Sequence, residues 1–302
     1  MKILKKIFAA IGGCLAAVLL TAAVVIFFYF PRYITQRRPF DITEKDPSTQ
    51  ITLMSVNVRC FSPTDLFRKS WFYRAPLVLE NVRAAEPDVI GFQEVTRMHN
   101  AYLSKTLAGY DSVLTYRDKS LLSEGCPIFY STAKFTLIDK GSFWLSETPD
   151  VMSRGWDAAF NRVCSYVILE RKSDGKQLAV FNTHLDHISD TARINGMQVI
   201  LDKIRQFGNL PSVIMGDLNA TEQSATYAAA TAQFFDAKYQ TDDTDTGATY
   251  QNWGESLDGE NIDYFMLSKT GVTADTYRVI RTTYDGVYPS DHFPILLKIE
   301  LD

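Results

Sequence analysis

The segment Val213-Ile214-Met215-Gly216-Asp217-Leu218-Asn219 joins an apolar run to two polar side chains that are two residues apart. In an extended chain, side chains at this spacing point to the same face. Asp217 and Asn219 can therefore act on one water molecule, the acid by accepting its proton and the amide by holding it. The same residues can instead form a turn that closes a strand and bonds only to backbone. The segment alone does not distinguish these two interpretations.

Five further motifs place polar residues at the ends of apolar, strand-like runs. They are Ser55-Val56-Asn57, Phe92-Gln93-Glu94, Asn182-Thr183-His184-Leu185-Asp186, Ile262-Asp263-Tyr264 and Ser290-Asp291-His292. The set supplies carboxylates and amides for a hard cation, and two histidines for a phosphate. Mg²⁺ prefers oxygen ligands and needs only one or two protein carboxylates. The motifs together therefore predict metal-assisted hydrolysis of a phosphate ester.

The histidines differ in their sequence context. His292 lies where a loop enters an apolar strand, so it can donate to a phosphoryl oxygen, and a carboxylate partner fixes its tautomer. Asp263, at the start of another strand, is the predicted partner. His184 ends a strand inside a polar motif and is also predicted to be functional. His99 has no such context and is expected at the surface, and the role of His187 stays open.

In their order, these motifs resemble the endonuclease/exonuclease/phosphatase superfamily, which includes deoxyribonuclease I, neutral sphingomyelinases and the nocturnin-like deadenylases. The similarity spans about residues 50–302. Three further segments resemble a bacterial branch near the nocturnin-like deadenylases: Glu124-Gly125-Cys126-Pro127, Gly155-Trp156-Asp157-Ala158-Ala159 followed by Arg162, and His184-Leu185-Asp186-His187. The pattern of strands and helices indicates an α+β fold, with two strand layers covered by helices. The resemblance narrows this to a four-layer α/β/β/α sandwich with the active site at one end.

The resemblance also implies a role for each motif residue. Asn57 and Glu94 would bind Mg²⁺, with Mn²⁺ as the alternative, and Asp291 would lie nearby. The catalytic residues would be Asp217 as the base, Asn219 beside it holding phosphate or the nucleophile, His184 and His292 on the scissile phosphate, Asp263 supporting His292, and Glu124 supporting His184. Arg162 would contact the phosphate of the substrate. No core catalytic position is substituted.

The first 38 residues contain six basic and no acidic residues, and an uncharged run of 24 residues extends from Ile7 to Phe30. A membrane-spanning helix needs about 20 apolar residues, whereas a signal peptide has a shorter core. We therefore expect an uncleaved anchor in residues 1–30, a linker in 31–50 and a catalytic domain in 51–302. Three basic residues flank each side of the run, so their distribution does not give the orientation. An N-terminal anchor most simply delivers the domain outside the cytoplasm.

Charge limits the class of substrate. Without the six N-terminal basic residues, 25 Lys and Arg face 35 Asp and Glu, a net charge of −10. Binding to long nucleic-acid duplexes depends on clustered Lys and Arg, and the sequence contains no such stripe. Small phosphorylated molecules or lipid headgroups fit better, and no protein partner can be inferred. A nuclease-type phosphodiesterase, a phosphatase of lipids or small molecules, and a non-catalytic envelope binding module of the same fold remain alternatives.

Hydrophobic periodicity gives the order of elements. Strands are predicted at about 51–57, 87–93, 111–116, 126–131, 134–145, 163–171, 177–184, 211–217, 261–267, 274–281 and 294–300. Helices are predicted at about 72–86, 96–107, 189–207 and 222–231. Residues 146–162 and 236–260 lie between motifs and are predicted to form the rim that selects substrate.

Overall fold

The computed structural model describes residues 2–24, 48–62, 64–245 and 247–302. Helix α1 (Lys2–Val24) contains an 18-residue stretch with a mean hydropathy of 2.4 and is long and apolar enough to cross a membrane, a test that a signal sequence also passes. The end of the predicted anchor, residues 25–30, and most of the predicted linker lie outside the described residues.

The described residues form two mixed sheets of six strands each. The first contains, in spatial order, β11 (Val272–Val279), β12 (Ile295–Leu301), β1 (Ile51–Asn57), β2 (Val89–Gln93), β4 (Ile128–Ser131) and β3 (Tyr110–Val113). The second contains β5 (Phe135–Trp144), β6 (Val163–Arg171), β7 (Gln177–His184), β8 (Ser212–Asp217), β10 (Asp263–Ser268) and β9 (Phe234–Asp236). Strands β1 and β2 are parallel, as are β7 and β8, and the other pairs are antiparallel.

Four helices cover the outer faces of the sheets. Helices α2 (Trp71–Ala85) and α3 (Arg97–Thr106) bury an apolar cluster against the first sheet. Helices α4 (Asp190–Arg205) and α5 (Ala225–Gln233) do the same on the second. A third cluster, which includes Leu53, Val180 and Leu297, fills the space between the sheets. Three apolar layers between four structural layers confirm the predicted α/β/β/α sandwich.

The strands and helices differ from the sequence-based boundaries by at most three residues, with one exception. Strand β9 was not predicted, because three residues at a sheet edge are too short to establish a period. Helix α5 begins at Ala225 rather than 222, since the Ser224 side chain accepts a hydrogen bond from the Tyr227 N–H and caps the helix there.

Two buried amides join the sheets near the strand ends. Gln93 donates from Nε2 to Asn182 Oδ1 at 2.7 Å, and Asn182 donates from Nδ2 to the carbonyls of Phe92 and Pro127, each at 2.8 Å. Gly91 makes this approach possible, since a Cβ there would lie 2.8 Å from the Asn182 side chain. These bonds hold the end of β2 against β7, and the next residues along the two strands are Glu94 and Thr183.

A second glycine permits the close pairing of β7 with β8. Gly216 has a φ of +134°, and a Cβ at this position would lie 2.0 Å from the Thr183 carbonyl oxygen. Because the two strands pair in register from Ala179 to His184, this contact sets His184 opposite Asp217. The polar ends of both strands thereby meet at one edge of the sheet.

Candidate active site

The strand ends open into one cleft of about 410 Å³. Eight of the ten predicted site residues line it: Glu94, Glu124, Arg162, His184, Asp217, Asn219, Asp291 and His292. The other two, Asn57 and Asp263, are buried and hydrogen bonded to residues of that group. The six motifs, which are far apart in sequence, are therefore brought together by the fold.

Asn57 connects two carboxylates of the site. Its Nδ2 donates to Glu94 Oε1 at 3.1 Å and to Asp217 Oδ2 at 3.0 Å, and its Oδ1 accepts from the Arg59 N–H at 2.9 Å. The amide oxygen, which was expected at the metal, is therefore bonded to backbone in this structure. As placed, Asn57 orients the carboxylates of Glu94 and Asp217.

Glu94 is held by hydrogen bonds to both of its carboxylate oxygens. Besides the bond from Asn57, its Oε2 accepts the Cys60 N–H at 2.6 Å. Its φ of +62° is left-handed, which turns the chain sharply after β2 and directs the side chain into the cleft. The carboxylate is half-buried and lines the cleft, so a cation entering there would meet a fixed oxygen ligand.

Asp291 lies on the same wall as an arginine that the sequence did not single out. Arg59 Nη1 is 3.5 Å from Asp291 Oδ2, and Arg59 Nε donates to Asp65 at 3.2 Å. Burial and the charge of Glu94 raise the pKa of Asp291, against the opposing charges of His292 and Arg59. Because Arg59 follows its strand in a loop with no polar motif, only its position in the fold reveals its contact with Asp291.

His292 and Asp263 form a hydrogen-bonded pair. His292 Nδ1 lies 2.9 Å from Asp263 Oδ2, and the Tyr250 ring contacts the imidazole edge-on at 5.0 Å between centroids. Burial opposes a charge on the ring, but the carboxylates of Asp263 and Asp217 outweigh it and raise the pKa of His292 to about 10. At neutral pH His292 is therefore a cationic donor, with Nε2 directed to the Asp217 side.

Both histidines that were predicted to be functional converge on one oxygen atom. Nε2 of His184 and Nε2 of His292 lie 3.6 Å and 3.7 Å from Asp217 Oδ2. Burial and the neighbouring Arg162 hold the pKa of His184 well below its ordinary value, so its ring is neutral. Burial and the charge of Asp263 raise the pKa of Asp217 to about 7. The cleft thus places a neutral and a charged imidazole around a carboxylate that titrates near neutral pH.

Asn219 takes part in the turn that was one of the two sequence interpretations. Its N–H donates to Asp217 Oδ1 at 2.8 Å, its Nδ2 donates to the Leu185 carbonyl at 3.1 Å, and its φ is +47°. The turn uses only Oδ1 of Asp217, because Oδ2 faces Asn57 and the two histidines. Structural and chemical roles are therefore compatible at this segment.

Arg162 lies near His184, and Asp186 and His187 hold its side chain in place. Its Nε lies 3.3 Å from Asp186 Oδ2 and its Nη2 donates to His187 Nδ1 at 2.9 Å. His187, whose role was left open, thus lines the cleft as the partner of Arg162. The guanidinium is almost wholly buried but has an edge on the cleft, where an anion can reach it.

The expected hydrogen-bond partner of Glu124 is not the one in the structure. Glu124 Oε1 accepts from Arg117 Nη2 at 2.9 Å, rather than from His184. The reason is electrostatic, because a permanently charged guanidinium satisfies a buried carboxylate better than a neutral imidazole. Burial and the charge of Glu94 still raise the pKa of Glu124 to about 7. Glu124 does line the same cleft as His184.

The prediction that His99 lies at the surface is wrong. His99 is buried, its Nδ1 is 2.6 Å from Thr96 Oγ1 at the start of α3, and its ring lies 4.0 Å from the Trp71 ring. It caps a helix, and burial lowers its pKa to about 3.

The remaining lining residues were not assigned a role from the sequence. They are Arg59, Cys60, Arg117, Phe160, His187, Tyr250, Glu260 and Ile262. Phe160 is 46% exposed. Its ring lies 4.5 Å from the Arg117 guanidinium and is nearly parallel to the His187 ring at 5.9 Å. Phe160 lies in the segment 146–162 that was predicted to form the rim.

Two groups of side chains offer ligand atoms for a cation. Asp217, Asp263 and His292 have ligand atoms within 4.8 Å of one another, but His292 and Asp263 already bond to each other. Glu94 and Asp291 offer carboxylate oxygens on the cleft wall, which suit a hard divalent cation.

A family model described as Endonuclease/Exonuclease/phosphatase family matches residues 54–292. The chain belongs to this family. Members of the family hydrolyse phosphoric esters and generally use a divalent metal ion, and the chain is accordingly a phosphoric ester hydrolase.

Solved structures agree with this family assignment. A family protein from Bacteroides thetaiotaomicron is 32% identical, with a TM-score of 0.78 over 84% of this chain and 98% of that one. A mannosyl-6-phosphatase from the same species is also 32% identical, with a TM-score of 0.75 over 83% of this chain and 99% of that one. The Ccr4 3'-5'-exoribonuclease subunit of Aspergillus oryzae is 28% identical over 48% of this chain, but the match spans only 23% of that protein.

Proposed function

We propose that the chain is a Mg²⁺-dependent phosphoesterase acting on a small or lipid-linked phosphate ester. The convergence of His184 and His292 on Asp217 Oδ2, in a cleft that also exposes Glu94, carries this proposal. A carboxylate, two imidazoles and a cation-binding carboxylate within one cleft are what hydrolysis of a phosphate ester requires.

The donor set fits a hard cation. We assign the metal to Glu94 and Asp291, with Asn57 beside them, and keep Mn²⁺ as an alternative to Mg²⁺. Arg59 balances part of the negative charge of Asp291, which limits repulsion between carboxylates before a cation arrives. When bound, the metal ion neutralises charge on the phosphate and on the leaving oxygen.

The other side chains of the cleft have separate roles in hydrolysis. Asp217 accepts the proton of the attacking water, and Asn219 next to it holds that water or a phosphate oxygen. His292, kept cationic by Asp263, donates to the phosphoryl oxygens as negative charge grows on them. His184 provides a second contact, and Arg162, which also lines the cleft, adds charge stabilisation. Glu124, through its bond to Arg117, fixes a second guanidinium on the cleft wall.

Size and charge favour a compact substrate. A cleft of about 410 Å³ lies at the lower end of the range for small-molecule sites, roughly 300–1,000 Å³. The net charge of −10 over residues 39–302 disfavours long duplexes. The mannosyl-6-phosphatase aligns over most of both chains, whereas the exoribonuclease match covers half of this one. These observations favour a small phosphomonoester over the nuclease-type phosphodiester alternative and over a non-catalytic binding module.

Localisation forms part of the proposal. Helix α1 and the uncharged residues that follow it would anchor the chain, with residues 31–50 as linker and 51–302 as the catalytic domain. We propose that the domain lies outside the cytoplasm.

The test is hydrolysis of a substrate panel by the purified chain, with Mg²⁺ or with a chelator. The panel contains sugar phosphates, glycerol phosphate, a phosphatidic acid in detergent micelles, a dinucleotide and a short RNA. We expect Mg²⁺-dependent release of inorganic phosphate from at least one monoester. Cleavage of RNA alone would favour the nuclease alternative, and tight binding without hydrolysis would favour the binding module.

A further inference from the structure

Arg74, on the first turns of α2, is a completely buried arginine whose hydrogen bonds go to backbone carbonyls. Its Nη1 donates to Val58 O at 2.8 Å and to Pro289 O at 2.7 Å, and its Nε donates to Lys69 O at 2.7 Å. A weaker bond runs from Nη2 to Arg59 O at 3.4 Å. One side chain thus connects α2 to the segment that follows β1 and to the loop that precedes Asp291.

A buried charge needs compensation, because removing it from water costs several kcal/mol. Within the part of the chain that the structure describes, Arg74 forms no direct ion pair with a carboxylate. Four carbonyl dipoles surround it instead, and its guanidinium lies 5.1 Å from the Trp253 ring and 5.8 Å from the Trp71 ring. Burial lowers its pKa to about 10, so it keeps its proton at neutral pH. Because burying this charge costs free energy, we expect Arg74 to have a role beyond packing.

Three of the four carbonyls that it binds belong to the segments that carry the proposed metal side. Val58 and Arg59 directly follow β1, and Pro289 precedes Asp291 by two residues. From the other side, Gln251 donates from Nε2 to Ser290 O at 2.7 Å and from its N–H to Asp291 O at 3.0 Å. Three consecutive carbonyls of this loop, at 289, 290 and 291, therefore accept hydrogen bonds.

We propose that Arg74 is a positioning residue for the cation site: together with Gln251 it fixes the loop of Asp291 against the segment of Arg59. This inference rests on the proposed function, because it takes Asp291 and Glu94 as metal ligands. It assigns to Arg74 no contact with substrate or metal. Its effect is to set the separation of ligands that lie on different elements of the fold.

An arginine is required for geometric reasons. The guanidinium is flat and presents donors in fixed directions, so Nη1 and Nε can reach carbonyls of separate segments at the same time. A lysine keeps the charge and the approximate length but offers a single nitrogen. Arg74→Lys therefore preserves the electrostatics while it releases part of the carbonyl network.

The experiment measures Mn²⁺ and Mg²⁺ binding to the full chain in detergent by calorimetry, without substrate, together with thermal melting. Residues that orient metal ligands typically contribute roughly 10–100-fold to metal affinity, and we expect Arg74→Lys to lose affinity in that range. The matched control is Arg171→Lys. Arg171 is also buried, bonds to Asp174 and to the Thr49 carbonyl, and ends β6 at the opposite end from Val163 and the cleft.

Loss of metal affinity in Arg74→Lys but not in Arg171→Lys, at similar loss of melting temperature, supports the proposal. Unchanged affinity in a folded Arg74→Lys protein overturns it. If Arg74→Lys does not fold, Gln251→Glu decides in the same way, since it removes the donor to Ser290 O and keeps the acceptor of the Gly254 N–H. If the wild-type chain binds neither ion, the proposed metal dependence fails independently of Arg74.

Discussion

Asp217 and Asp263 lie directly opposite each other in the antiparallel pair of β8 and β10, and both are buried. Two carboxylates this close in a low dielectric cannot both keep their ordinary acidity. The hydrogen bond to His292 compensates Asp263, and the pKa of Asp217 rises. The strand register therefore assigns different roles to two chemically identical groups.

Replacement of Asp217 by asparagine tests the proposed base. Asp217→Asn keeps the size and most hydrogen bonds but cannot take a proton, so turnover should fall roughly 10²–10⁴-fold. KM should change little, because substrate binding uses other groups. Steady-state kinetics on the best panel substrate measures both constants. Asp236→Asn, at a buried aspartate of β9 bonded to Tyr227 and Lys238, is the control and should retain normal turnover. Near-normal turnover in Asp217→Asn would falsify this role.

Replacement of Glu94 by glutamine tests the metal site. The change removes the charge but keeps the shape, so hydrolysis should become undetectable at low Mg²⁺ and metal binding should weaken, while the melting temperature stays close to that of the wild type. Calorimetry and a Mg²⁺ titration of activity provide the measurements. Glu170→Gln, at a partly buried glutamate bonded to Gln177 on β6, should leave the Mg²⁺ dependence unchanged. Full activity of Glu94→Gln at saturating Mg²⁺ would remove Glu94 from the ligand set.

Removal of the Asp263 charge should change the ionisation of His292. In Asp263→Asn, the pKa of His292 should fall from about 10 toward 6.5, and turnover at neutral pH should fall with the fraction of charged ring. Because the pKa of His292 is raised in the folded state, its interaction with Asp263 stabilises the fold below pH 6.5. This stabilisation disappears as the pH rises through about 10. Histidine NMR titration gives the pKa, with His99 as an internal reference that should not move. An unchanged His292 titration would contradict the pairing.

The exposed ring of Phe160 should contribute to substrate choice. Phe160→Ala removes a face on which a ring-bearing leaving group can pack, and KM for sugar phosphates should rise roughly two- to tenfold. KM for the acyclic glycerol phosphate should change less, and kcat should stay similar for both. Phe235→Ala, at a partly exposed ring on β9 and absent from the cleft lining, serves as control. An equal change for cyclic and acyclic substrates would exclude a stacking role.

The N-terminal helix should hold the chain in membranes. After fractionation and carbonate washing, we expect the full chain in the membrane pellet at its uncleaved mass, and a variant lacking residues 1–38 in the soluble fraction with its activity retained. Intact mass spectrometry decides between anchor and signal peptide. A shortened soluble form of the wild type would identify a signal peptide, and protease access in spheroplasts gives the orientation.

Strand-end motifs could be recognised in the sequence because period-two alternation and the polar residue after it are local features. Asp217, Glu94 and His184 were found in this way, whereas the four-layer sandwich that brings them together was implied by the family resemblance. Helix boundaries were accurate to within three residues, and the largest error is at α5, whose capping residue Ser224 was not used to place its start. Strand β9 has too few residues for a period, so its existence depends on pairing with β10.

The residues that were missed depend on contacts between distant segments. In the sequence, Arg74 is one basic residue of a predicted helix. Only the fold brings its guanidinium to the carbonyls of Val58 and Pro289. His99 appeared unremarkable because its burial depends on Trp71 and on the capping of α3. Glu124 was assigned a histidine partner because its bond to Arg117 arises from a loop conformation that no periodicity encodes.

The reacting groups are fixed at strand ends that Gln93 and Asn182 join, whereas Phe160, Tyr250 and Glu260 line the cleft from connecting loops. Loops accept substitutions and insertions more readily than the sheets that carry them. Directed evolution confined to residues 146–161 and 252–262 should therefore be able to change the accepted ester while the hydrolytic step persists. Duplicated genes for this fold can diverge in substrate by the same route, without passing through an inactive intermediate.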